Sequence, residues 1–339
     1  MTEEIATKIV LAARPKGKPT EADFRIERTP IPQPGTHELL LRTRYLSLDP
    51  YMRGRMDDRK SYATPLQIGD VMTGESVAEV VISHVPALAP GDLVLAETGW
   101  QTHYLSDGKA LRKLDHRATP VTTALGVLGM PGFTAYSGLR FIGQPKPGET
   151  VVVAAASGPV GSLVGQLAKL SGARAIGIAG GADKCKYVKG VLGFDEAVNH
   201  KSASFSEELA LACPSGIDVY FENVGGIIWQ AVLPLLNKFA RVPVCGLIAQ
   251  YNGVSNDDRN NTVAATMREV LTRSLTLRGF LNSEFLKYYP DFLTEVGDAL
   301  RAGKIKYRED VVDGIENAPE AFMGMLEGRN HGKLIIKVS

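Results

Sequence analysis

The sequence predicts an α/β protein, a β-rich unit followed by a doubly wound parallel-sheet unit. Three features carry this reading. Up to about residue 125 the chain is short apolar runs punctuated by proline and glycine. Val151-Val152-Val153-Ala154 is then an apolar run without polar alternation that turns through small residues into a helix, and further apolar runs after it end in glycine or a polar residue. A chain of 339 residues exceeds one ordinary core, so two domains are expected.

In the first part, residues 8–12, 38–43, 75–81 and 92–96 read as strands separated by Pro32, Pro34-Gly35 and Pro90-Gly91, the texture of a β-rich unit or small barrel. Residues 46–56, with Tyr51, Met52, Arg53, Arg55 and Met56, lead to Ser61-Tyr62-Ala63-Thr64-Pro65 without helical or strand periodicity. Such a loop suits a pocket lining. Equally, Tyr51 and Met52 serve as core plugs while the arginines face solvent. Residues 122–143 change to helical spacing with glycine breaks and are read as the crossing between domains, and Pro145 to Glu149 as a tight turn into the central strand.

The run at 151–154 has the β-branched, non-alternating pattern of a strand buried on both faces. After it, Gly158 and Gly161 have the spacing of the last two glycines of G-x-G-x-x-G, with Ala156 where the first would stand. In such a turn Gly158 lets the backbone approach a pyrophosphate and Gly161 lets the helix pack on its strand. The N–H groups at the helix start, around Pro159 and Val160, then face the phosphates. The helix ends at Ser171-Gly172, and residues 174–179 form the second strand.

An NAD-preferring site needs an acid at the tip of that second strand. Here the tip is Ala179-Gly180-Gly181, and Lys184 lies just inside the next helix. A cation there pairs with a ribose 2′-phosphate, so NADPH is the expected cofactor. Asp183 dissents: it either caps the helix or reaches the ribose.

Residues 196–200, 217–226 and 240–246 read as further strands, and in an open parallel sheet the ligand lies along their carboxyl ends. Asn223-Val224-Gly225 and the segment from Cys245 and Gly246 to Tyr251-Asn252 are therefore the expected lip of a cofactor cleft. Residues 276–281 read as a strand, 283–302 and 318–328 as helices, and 333–338 as an alternating strand that returns to the first domain. The domains are accordingly 1–125 plus 310–339, and 126–309.

The formal charge of +1 disfavours a general attraction to nucleic acid or an anionic membrane surface. Cys185, Cys213 and Cys245 are far apart and form no C-x-x-C pair, which excludes a disulfide framework and disfavours structural zinc. No apolar run reaches about 18 residues and the start lacks a signal-peptide core, so a soluble, cytoplasmic protein is expected. No cysteine precedes Cys185, so a zinc ligand set of the alcohol-dehydrogenase kind is missing, and His103 and His116 read as surface or satisfied residues.

The chain resembles the zinc-independent medium-chain dehydrogenase/reductases, and among them the leukotriene B4 dehydrogenase, prostaglandin reductase and alkenal double-bond reductase group. The residues that carry this are Ser47 to Met56, Ala155-Ala156-Ser157-Gly158-Pro159-Val160-Gly161 with Gly165-Gln166, Phe221-Glu222-Asn223-Val224-Gly225-Gly226, Gly246 to Asn252, and Gly328-Arg329-Asn330-His331-Gly332-Lys333. The resemblance implies a GroES-like domain, a Rossmann domain, and NADPH-dependent reduction of the carbon–carbon double bond of an α,β-unsaturated ketone or aldehyde. It implies that Gly158 to Gly161 hold the pyrophosphate and Lys184 the 2′-phosphate. Asn223, the Cys245 to Tyr251 loop, Phe280, Leu281, Asn282 and Asn330 would surround the nicotinamide half, with Tyr62 and Tyr251 flanking the substrate. It also suggests a homodimer, for which an apolar sheet edge near Val242 to Gly246 and the helix after Asn282 are available. Many members carry tyrosine where His200 stands, and a histidine there donates to a phosphate more strongly at low pH.

Hydride arriving at the β-carbon leaves negative charge on the carbonyl oxygen, so a donor is needed there. A tyrosine hydroxyl, protonated at neutral pH, suits the task. Tyr251 is the first candidate, and Tyr62 the second as substrate anchor or proton donor. An NADPH-dependent quinone reductase is the competing enzyme reading, and a non-catalytic NADPH-binding protein the competing class.

Overall fold

The computed structural model describes residues 5–115, 119–253 and 256–338, with 256–262 as backbone alone, so His116 lies outside the described residues. The chain forms two compact units, Met1–Leu125 with Glu309–Ser339, and Gly126–Arg308.

In the first unit, β1 (Ile5–Leu11) and β2 (Phe24–Pro30) make an antiparallel ribbon. β3 (Leu39–Ser47) is the hub of a second sheet. It is followed by a short helix α1 (Tyr51–Arg55), then β4 (Ser76–Ser83), β5 (Leu93–Ala96), β6 (His103–Ser106) and β7 (Arg112–Lys113). β3 pairs antiparallel with β4 and with β6. The segment read as an aperiodic loop is thus helical at 51–55. Met52 and Met56 are fully buried in a core with Leu46 and Trp100, so Met52 packs rather than presenting a surface. Arg53 does not face solvent either: it is buried, and pairs with Asp57 at 2.6 Å and with the Gly17 carbonyl at 2.9 Å.

The second unit begins with α2 (Met130–Ser137), which runs on into a π-helical turn, Gly138–Gly143. The doubly wound part follows: β8 (Thr150–Ala154), α3 (Pro159–Leu170), β9 (Arg174–Ala179), α4 (Ala182–Gly190), β10 (Glu196–Asn199), α5 (Phe205–Ala212), β11 (Ile217–Phe221), α6 (Gly226–Val232), β12 (Leu236–Val244), α7 (Asn256–Arg273), β13 (Thr276–Gly279) and α8 (Tyr289–Arg301). The six strands are all parallel, in the order β10-β9-β8-β11-β12-β13. β8 is central, and its residues divide by period two. Val151 and Val153 enter the core beneath α3 and α8, while Val152 and Ala154 enter the opposite core with Phe205, Leu209, Ile228 and Val232. Each fully buried valine contributes about 1.5–3 kcal/mol, which is why an unbroken apolar run marks this strand. Gly165 lets α3 close on Phe194, since a Cβ there would come within 1.8 Å of the ring.

The expected helix 283–302 is divided into a 3-10 stretch, Asn282–Tyr288, and α8. Pro290 explains the break, because a residue without an N–H is tolerated only in a helix's first turn. The strand expected at 240–246 starts earlier, at Leu236, and α7 has no counterpart in the sequence reading.

The chain then returns to the first unit as β14 (Glu309–Asp313), α9 (Ala318–Leu326) and β15 (Lys333–Lys337). β15 pairs parallel with β14 and antiparallel with β3. Lys333, only 2% exposed, donates to Asp49 at 2.6 Å and to the Leu48 carbonyl at 2.8 Å, and the Ser47 hydroxyl donates to the same carboxylate.

Candidate functional site

The carboxyl ends of the parallel strands lie along one edge, and most of the residues singled out in the second unit lie there. Between β8 and α3 the chain reverses through Ala155, whose φ of 53° is left-handed, and the Ala155 carbonyl accepts from Gly158 N–H at 2.9 Å. Gly158 is the N-cap of α3, no side chain caps it, and Pro159 occupies the first turn. The amides of Val160 and Gly161 follow, where a helix has no partners of its own to offer. A Cβ on Gly161 would stand 2.4 Å from the Ala155 carbonyl oxygen, so only glycine lets the helix start this close to the turn. The result is a cradle shaped for a phosphate.

Beside it, β9 ends at Gly180-Gly181. The Asn199 side-chain carbonyl accepts from Gly181 N–H at 2.8 Å and Lys201 N–H at 3.1 Å, folding residues 199–201 over the glycines. A Cβ on Gly180 would meet His200 Nε2 at 2.9 Å and Lys201 Cε at 3.3 Å. Lys184, in the first turn of α4, adds a charge that His200 feels: burial, then Lys201, then Lys184 hold the imidazole below its ordinary pKa. Lys201 escaped the sequence reading, although a second basic residue directly after His200 was there to be noticed. Asp183 does not cap α4, whose N-cap is Gly181 with no side-chain cap; it stands as an acid in the first turn.

β11 and β12 supply the third group. Asn223 Nδ2 donates to the Ala154 carbonyl at 2.8 Å, tying the end of β11 to the start of the cradle. Cys245 and Gly246 N–H donate to the Glu222 carbonyl at 2.9 and 3.2 Å. Ile248 and Ala249 N–H donate to the carbonyls of Asn223 and Val224 at 3.3 and 3.0 Å. A Cβ on Gly246 would lie 3.3 Å from the Tyr251 hydroxyl oxygen and 3.5 Å from the Asn223 carbonyl oxygen. Tyr251, Gly246 and Asn223 therefore converge. Burial, with Glu222 adding to it, pushes the Cys245 thiol up to about 12, so it stays protonated.

Phe280 is buried, its ring edge-on to Phe221 at 6.3 Å, so its side chain packs. Leu281 is exposed, and Asn282 Nδ2 donates to Thr134 Oγ1 at 3.2 Å. The remaining residues belong to the first unit. Asn330 Nδ2 donates to the Gly332 carbonyl at 2.8 Å. Tyr62 is 64% exposed. Burial first, then Asp49, Glu97, Glu75 and Tyr62, hold the Tyr51 hydroxyl well above the ordinary tyrosine range. His103 shares a hydrogen bond of 3.0 Å with Thr102. Among the described residues no group of three or more His, Cys, Asp or Glu is arranged to hold a metal ion.

The uncapped α3 start beside a glycine cradle, with three basic side chains around the next turn, fits the pyrophosphate and 2′-phosphate of NADPH. A doubly wound sheet carrying that site, joined to a β-rich unit, defines a class: the chain belongs to the medium-chain dehydrogenase/reductase family. Two family models match it, "N-terminal domain of oxidoreductase" over residues 7–114 and "zinc-binding dehydrogenase" over residues 159–296. Among its relatives is the NADPH-dependent curcumin reductase of Escherichia coli K12, 51% identical over 332 residues, covering 97% of this chain and 96% of the relative. The NADP(+)-dependent 2-alkenal reductase of Nicotiana tabacum is 40% identical over 347 residues, covering 100% and 99%. The crystal structure of CurA from Vibrio vulnificus in complex with NADPH superposes with a TM-score of 0.95 at 50% identity, covering 98% of this chain and 99% of that one.

Proposed function

We propose that the protein is an NADPH-dependent reductase of the carbon–carbon double bond of α,β-unsaturated ketones and aldehydes. The observation that carries this reading is the convergence of Tyr251, Gly246 and Asn223 at the end of β12, on the same sheet edge as the phosphate cradle. Full-length relatives named for curcumin and alkenal reduction with NADP(H) support it. Residues 126–309 serve as the NADP-binding domain, and residues 1–125 with 310–339 as the substrate domain.

Bound NADPH supplies the hydride. Gly158, Pro159, Val160 and Gly161 hold the pyrophosphate at the α3 N-terminus. Lys184 and His200, joined by Lys201, hold the 2′-phosphate. Asn223, Cys245, Gly246, Phe280, Leu281 and Asn282 surround the nicotinamide half, Phe280 through its backbone. Tyr251 donates its hydroxyl hydrogen bond to the substrate carbonyl oxygen as negative charge develops there, an effect of roughly 3–4 kcal/mol when water is excluded. In the first unit, Tyr62 is exposed and close to Tyr51, which makes it the residue there suited to anchor a substrate.

The protein acts as a cytoplasmic homodimer. Among the described residues no helix is long and apolar enough to cross a membrane, and three free thiols suit a reducing compartment. β13 is the exposed edge of its sheet, and α7 carries Val263, Met267 and Leu271 exposed in one row, a surface suited to a second copy.

The test is steady-state NADPH oxidation with 3-nonen-2-one beside a 1,4-quinone. Turnover of the enone in preference to the quinone is expected, and the reverse order would make the protein a quinone reductase. Tyr251→Phe is expected to lower kcat about 100-fold or more, with KM for NADPH within about threefold, the pattern of a contact made only in the transition state. Full activity in that variant would remove Tyr251 from the mechanism.

A further inference from the structure

β11 ends in a carboxylate that packing does not explain. Glu222 is 3% exposed, next to Phe221 and Tyr220, both wholly buried. A carboxylate in such a place is costly unless it is hydrogen-bonded. Its Oε1 accepts three hydrogen bonds, from Tyr220 Oη at 2.9 Å, Val224 N–H at 2.6 Å and Gly225 N–H at 2.8 Å. Three donors on one oxygen suit an anion better than a neutral acceptor.

The backbone that this carboxylate grips has little stiffness of its own. Gly225 and Gly226 have φ of 76° and 59°, and glycine reaches those values without preferring them. Yet this turn is the foundation of the neighbouring segment. The amides of Cys245, Gly246, Ile248 and Ala249 are anchored on the carbonyls of Glu222, Asn223 and Val224, and Asn223 reaches across to Ala154. Holding Val224 and Gly225 still therefore holds the 245–251 segment, and with it the Tyr251 hydroxyl over Gly246.

We infer that Glu222 is the positioning residue of the lip: its carboxylate locks the Val224–Gly225 turn and so sets where Tyr251 presents its hydroxyl, without itself touching cofactor or substrate. The lock is confined to one end of the site. Its three donors, Tyr220, Val224 and Gly225, all belong to the end of β11 and the turn after it, whereas Lys184 and His200 stand at the ends of β9 and β10.

This inference rests on Tyr251 acting as the donor, so the test separates the two. Glu222→Leu and Glu222→Gln are compared with the parent for kcat and KM on an enone, for NADP⁺ dissociation constant, and for amide hydrogen exchange of residues 245–251 against α3. Glu222→Leu is expected to lower kcat about 100-fold and to speed exchange in 245–251 at least tenfold. α3 exchange should stay within about threefold, and NADP⁺ affinity should fall no more than about tenfold, because the mobilised segment lines only the nicotinamide half. Glu222→Gln, which keeps an acceptor oxygen, should recover kcat to within about tenfold of the parent. In the Glu222→Leu background Tyr251→Phe should cost less than threefold, because a misplaced hydroxyl has little left to lose.

Unchanged exchange in 245–251, or an equal rise in 245–251 and α3, overturns the inference, as does a full multiplicative cost of Tyr251→Phe. If Glu222→Leu does not fold, Glu222→Gln, whose neutral oxygen holds the three donors less strongly than the anion, decides: at least twofold faster exchange confined to 245–251 supports the lock, and less than twofold overturns it. If Tyr251→Phe is fully active in the parent while Glu222→Leu mobilises 245–251, the lock stands and the tyrosine assignment falls.

Discussion

His200 and Lys201 crowd Gly180, with the Lys184 charge felt by the imidazole, and the histidine is the member whose charge changes in the working pH range. Burial and the two lysines hold it below its ordinary pKa, so it is neutral at pH 8 and gains its proton only as the pH falls. A phosphate held by His200 would reverse that balance, and proton uptake would then accompany binding. NADP⁺ affinity should therefore rise on acidification more steeply in the parent than in His200→Asn. Fluorescence-quenching titrations should give a ratio of dissociation constants, variant over parent, that grows about three- to tenfold between pH 8 and pH 5.5. A constant ratio would remove His200 from the phosphate contact. Using the variant as reference cancels the titration of the phosphate itself. Lys184 was legible in the sequence because it has a defined place after a strand tip without an acid. Lys201 was not, since its approach to Gly180 depends on Asn199 folding the end of β10 back.

Elements were legible where their environment was uniform. β8 is buried on both faces and says so in every residue, and α3 follows from small residues that only a tight strand-to-helix turn requires. The same closeness makes α3 intolerant of added volume. Gly165→Ala would place a methyl within 1.8 Å of the Phe194 ring, and the overpacking should cost about 1–3 kcal/mol in urea unfolding with the m-value unchanged. Stability equal to the parent's would mean that Phe194 swings away freely. α7 was not legible because it is polar over most of its length, and among its described large apolar residues Val270 packs inward while Val263, Met267 and Leu271 are exposed, so no continuous apolar face marks it. β14 hid for a similar reason: Glu309-Asp310-Val311-Val312-Asp313 has too few apolar residues to announce a strand, and it exists by pairing with β15.

At the scale of the whole molecule, strand order decides which surfaces remain for association. The edge near Val242 to Gly246 suggested by the sequence is not an edge, because β12 lies between β11 and β13 and Val242 is fully buried. The helix after Asn282 is likewise committed inward, through Phe292 and Val296. β13 stays open as an edge strand, and so does the row Val263, Met267 and Leu271 on α7, the last 80% exposed. Sedimentation should give a two-chain mass for the parent and a one-chain mass for Met267→Glu/Leu271→Glu. A two-chain mass in both would move the interface elsewhere, and a one-chain mass in the parent would end the dimer proposal.

The sequence by itself determined the α/β class, the strand–turn–helix at the phosphate cradle, the glycines that cradle needs and the family. These depend on local periodicity and on steric demands that a few neighbouring residues satisfy. Only the tertiary structure decided which distant residues meet. It moved Met52 from a candidate pocket into the core, paired Lys333 with Asp49 across 284 positions, brought Tyr251 over Gly246 and gave Glu222 its three donors. Those outcomes follow from strand order and long-range pairing, whose energies come from burial and desolvation of the whole fold rather than from any short stretch of chain.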